Sequence, residues 1–312
     1  MNLRLKFASV LCGGLSALLL PLQSPTIAQL EIGSSSAPEI LVVGAEKMRK
    51  LRLKPIPGAS QAINIVWQIQ TSLKAGNREM PNLPMPTLLS SLSSKVNEIA
   101  PNGDIRYQVV YNGIQTKSQG GNEFESQMAK AIDRQLGALA GLRGDYVMSE
   151  QGEPKSAQMT LPDNLTAMQQ SLINQFAQAV ASLSAPFPAN SVGIGGVWRQ
   201  VTPIMVDGMQ VKQTATYRLI DLKDGIATIE LQIEQTAAPQ KIQTDNQSIG
   251  ALQLKSFVSA GKGQMIWDLK QVMPQQSQLK LTSTLVAEPE NAPGANNEIT
   301  TRHLIDLTLT SN

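Results

Sequence analysis

The sequence predicts an α+β protein that is mainly antiparallel β: a curved sheet built from two similar halves, with two amphipathic helices packed on it. Three observations carry this. Several runs alternate apolar with polar residues, as strands buried on one face require. Gly-containing turns separate those runs. Two further stretches repeat apolar residues at spacings of three and four, the period of a helix face.

Taken in order, residues 1–28 read as a signal peptide. Arg4 and Lys6 precede an apolar stretch from Phe7 to Leu22, and the small residue Ala28 marks the expected cleavage point. Cys12 follows Leu11 rather than a small residue and stands before most of the apolar run, so a lipid anchor there is not expected. Gly13, Gly14 and Pro21 interrupt the stretch, and no later segment approaches the roughly 20 apolar residues of a membrane span. Residues 29–60 read as a flexible lead-in, Gly33 to Pro38, followed by a basic run from Lys47 to Lys54 that Pro55 and Pro57 end. That run contains no aromatic side chain, so it reads as a solvated segment rather than a polyanion site.

The first β-rich half is placed at 61–162. Ile63, Ile65, Trp67 and Ile69 share one strand face, and Leu89 to Ile99 returns through Asn102-Gly103 as Ile105, Tyr107, Val109 and Tyr111. A helix is expected over 123–139 from Phe124, Met128, Ile132, Leu136 and Leu139. A linking helix is expected over 163–185, with Asp163 as N-cap, a stripe that includes Met168, Leu172 and Phe176, and Pro186 as its stop. The second half, 186–312, opens on Val197-Trp198 as the first carries Val66-Trp67. It turns at Asp207-Gly208 and Asp224-Gly225, and its clearest strand alternates Ala227, Ile229, Leu231 and Ile233 with polar neighbours. The shared plan reads as a duplicated unit. A last strand sets Ile305, Leu307 and Leu309 on one face.

Composition narrows the chemistry. The chain has 42% hydrophobic and 16% charged residues, a balance that folds rather than expands. Its net charge of +2 is supplied by Arg4 and Lys6, so the mature part gives no electrostatic case for nucleic acid. The single cysteine lies in the signal segment, which leaves neither a disulfide framework nor a thiol nucleophile. One histidine, His303, cannot supply a zinc site, and no G-x-S-x-G elbow accompanies it. Gly193-Ile194-Gly195-Gly196 precedes a strand instead of opening a helix, which is the wrong side for phosphate binding. No catalytic residue, metal or cofactor is expected.

The segment Leu51-Arg52-Leu53-Lys54-Pro55, the pair Val66-Trp67, Asn102-Gly103, Gly196-Val197-Trp198 with Tyr217, and Gly261-Lys262-Gly263 before Trp267 together resemble a family of exported, cyanobacterial-type proteins of unassigned function. In outline the plan is also similar to the lipid and lipoprotein carriers of the bacterial envelope. The likeness implies a periplasmic address. The functional expectation is a non-catalytic binding or carrier protein for a lipid or other apolar ligand, with Trp67, Trp198, Met168 and Phe176 as lining residues. The alternative is a structural or interaction protein of the envelope.

Overall fold

The computed structural model describes residues 26–30, 35–46, 48–80, 85–118, 123–137, 140–161, 185–206, 208–242 and 251–312. In chain order these form β1 (Thr26–Leu30), β2 (Glu39–Val42), β3 (Ser60–Ala75), β4 (Arg78–Glu79), β5 (Thr87–Ile99), β6 (Ile105–Lys117), α1 (Glu123–Gly137), β7 (Arg143–Met148) and β8 (Pro154–Leu161). There follow β9 (Val197–Val206), β10 (Met209–Lys223), β11 (Ile226–Ala237), β12 (Lys241–Ile242), β13 (Leu252–Asp268), β14 (Gln276–Pro289) and β15 (Ile299–Ser311). The expected second helix at 163–185 falls almost wholly outside the described residues, as do Met168 and Phe176; α1 is the one α-helix among those described.

All fifteen strands belong to one antiparallel sheet in the order β1-β8-β7-β6-β5-β3-β15-β14-β13-β11-β10-β9-β2, with β4 and β12 set beside β3 and β13. The order is open, and β1 and β2 are its two ends. The first half is a meander from β3 to β8, the second a meander from β9 to β15, and the last strand pairs with the first long one, Leu307 opposite Trp67. Ala28, the expected cleavage point, lies inside β1, where it pairs with Met159 of β8.

Turn chemistry explains why the chain reverses where it does. Asp224 and Gly225 both have positive φ, 53° and 85°, the pattern of a type I′ turn whose twist matches that of the strands it joins. In α1, Glu123 and Glu125 occupy the first turn and Arg134 the last, which complements the helix dipole. The helix lies on the apolar side of β6: the Thr116 hydroxyl donates to the Ala129 carbonyl, the Asp133 carboxylate accepts from the Thr116 amide, and Leu136 enters the main core.

One end of the sheet is closed by packing. Trp198 and Trp267 are fully buried there with Phe187 between them, ring centroids 6.5 and 5.8 Å away. Each indole N–H is bonded, Trp198 to the Pro186 carbonyl at 2.8 Å and Trp267 to that of Gln271 at 3.0 Å. The basic run belongs to this end. The Leu53 amide donates to the Glu150 carbonyl and that of Lys54 to Leu269, while Leu51 and Leu53 are buried. Arg52 donates to the carbonyls of Leu51, Pro188 and Ala189 and to the Glu150 carboxylate at 2.9 Å. This part of the lead-in is thus built into the fold, because its partners, from Glu150 to Leu269, lie far along the chain, where spacing gives no sign of them.

Candidate functional site

Strand pairing sorts the apolar face into rows, since residues opposite one another across antiparallel strands share a face. One row joins the two repeated tryptophans. It runs from Trp198 through Tyr217, Leu231, Gly263, Leu279 and Leu307 to Trp67. The two ends of this row differ. Trp198 is 0% exposed and stacks on Tyr217, centroids 5.6 Å apart and planes within 14°, so it is a core side chain instead of the expected lining residue. Trp67 is half-buried, and its indole nitrogen is buried without a hydrogen-bond partner.

Two residues further along each strand lies a row of Gln200, Ala215, Ile233, Gly261, Leu281, Ile305 and Ile69. Its four large apolar side chains, Ile69, Ile233, Leu281 and Ile305, are half-buried. They pack in neither of the two apolar clusters, the main core and a smaller one around Met209, Val211, Ile242, Leu254 and Phe257. The floor beneath them is kept low by glycine. A Cβ at Gly261 would stand 2.5 Å from the Lys280 carbonyl oxygen, and one at Gly263 2.3 Å from that of Gln278. Glycine inside a strand commonly marks such a close approach or bend.

The next row is wholly polar. Thr202, Gln213, Gln235, Ser259, Ser283, His303 and Thr71 stand in register across seven neighbouring strands. The Gln235 amide donates to the Gln213 side-chain carbonyl at 2.8 Å, and His303 Nδ1 is 2.9 Å from the Thr71 hydroxyl. Ser259 is 5% exposed and its hydroxyl has no partner. Beyond it, Phe257, Leu285 and Leu73 make the face apolar again, with Thr301 among them. Seven polar side chains, none of them Asp, Glu, Lys or Arg, stand in one line with apolar residues in the rows on both sides.

This row escaped sequence reasoning, although each member is readable as an inward position once its strand is assigned. Only pairing brings residues 71, 202 and 303 together, and the register depends on every intervening turn. Among the described residues, no three His, Cys, Asp or Glu side chains gather as for a metal, and no helix is long and apolar enough to cross a membrane. The chain matches no family model and no curated protein.

Proposed function

We propose that this is a non-catalytic, exported protein that holds an apolar ligand on the glycine-floored part of its sheet, in the bacterial periplasm after removal of the leader. The observation that carries the reading is the row of Ile69, Ile233, Leu281 and Ile305. These side chains lie between two apolar clusters and belong to neither. Full burial of a side chain of this size is worth about 1.5–3 kcal/mol, and these four, already half-buried, keep only part of that to offer an apolar molecule.

Curvature of the open antiparallel sheet about its apolar face is part of the proposal. A duplicated plan is also part of the proposal; Trp67 and Trp198, each preceded by valine, stand in one row.

The test is uptake of Nile red by the full chain. The wild type should enhance its fluorescence saturably, and Ile233→Asp and Leu281→Asp should each weaken binding at least about tenfold, since an uncompensated carboxylate is costly in an apolar site. Wild-type protein that leaves the dye unchanged, or folded variants that bind as the wild type does, would overturn the reading. The alternative, an envelope interaction protein, is favoured by one feature: Leu41, Val42 and Val43 are exposed at the β2 edge. Stable capture of one envelope protein through that edge, without dye uptake, would support it.

A further inference from the structure

The polar row narrows the chemistry of the ligand, and the argument rests on the proposed binding face. From β9 across to β3, the rows described above contain no Asp, Glu, Lys or Arg. Charged neighbours on the same strands, such as Arg218, Glu230, Glu234, Lys262 and Lys280, occupy the alternate positions that face away. His303 belongs to the polar row and is engaged with Thr71, its Nδ1 2.9 Å from the hydroxyl. A carboxylate or phosphate brought here would give up its hydration with no cation to replace it, which is costly. Hydroxyls and carbonyls are in a different position. Gln, Ser and Thr side chains both donate and accept, so the row can answer either partner. The buried Ser259 hydroxyl and Trp67 indole nitrogen lack partners, and leaving such a group unmet costs about 1–3 kcal/mol.

We infer that the ligand is an uncharged amphiphile, with its hydrocarbon part along Ile233, Leu281 and Ile305 and a hydroxyl- or carbonyl-bearing head on the row from Gln213 to His303. The face selects by the absence of charge. A charged lipid with the same chain is disfavoured because, among the described residues, these rows hold no Lys or Arg to pair with its head.

Displacement of Nile red from the full chain by two single-chain lipids tests this. Monooleoylglycerol and oleoyl lysophosphatidic acid share their chain and differ in the phosphate. Monooleoylglycerol should displace the dye at a concentration at least about tenfold lower, as expected when one head group must be desolvated unpaired. Equal potency, or preference for the phosphate, would overturn the inference and leave the binding face intact. Absence of dye uptake and of displacement would instead overturn the binding face itself. Gln235→Lys adds a cation to the row, and because Gln235 is half-buried the change is compatible with folding. It should raise the potency of lysophosphatidic acid at least about tenfold. A folded variant in which that potency is unchanged would count against the row as the head-group site.

Discussion

Phe187 shows what single side chains contribute at the closed end. It touches both buried tryptophans, and its backbone amide donates to the Gln151 carbonyl, so one residue ties β9 and β13 to the β7–β8 turn. Phe187→Ala should cost about 3–5 kcal/mol in chemical denaturation, the usual range for removing a buried aromatic ring. The tyrosines make a second prediction. All four, Tyr107, Tyr111, Tyr146 and Tyr217, are pushed above the ordinary phenol value by burial, and for Tyr107 and Tyr111 the neighbouring Tyr146 adds to the shift. A group whose folded value is raised contributes stability fully below its unfolded pKa and loses it as pH rises beyond that point. The stability of the protein should therefore fall above about pH 10. Tyrosinate absorbance at 295 nm should appear together with loss of the β-sheet circular dichroism; ionisation of several tyrosines in a still-folded chain would contradict it.

Strands were the most legible elements, for a physical reason. Alternation marks a strand wherever one face is buried, and it identified the cores of β3, β6, β11 and β15 from Ile63, Tyr107, Ile229 and Leu307. Asp224-Gly225 located its hairpin because positive φ at both positions restricts the residues that fit. The strand β13 is a harder case: Gly261 and Gly263 occupy inward positions where alternation expects large apolar residues. They sit in mid-strand where the neighbouring backbone comes close. Gly263→Ala should destabilise the protein by about 1–3 kcal/mol, as overpacking does, measured by denaturant midpoint at unchanged slope. Ala at the exposed, positive-φ Gly58, where nothing lies within 4 Å, should cost only the backbone strain, about 1–2 kcal/mol, and provides a comparison without a clash.

At the scale of the whole molecule, what sequence alone left unread was register. The candidate site is a set of rows, and each row draws one residue from every strand between β9 and β3. Trp67 and Trp198 illustrate the gap: their shared Val-Trp context made them equivalent on paper, and they do lie in one row, yet closure of one end buries Trp198 and leaves Trp67 at the margin of the open band. The central claim is that the half-buried band around Ile233 and Leu281 holds an uncharged lipid-like molecule. Native mass spectrometry of the full chain, purified from its own compartment without detergent, tests it most directly. The account predicts a one-to-one complex with a neutral lipid that organic solvent removes; a bare polypeptide mass, with no mass gained on adding monooleoylglycerol, would contradict it.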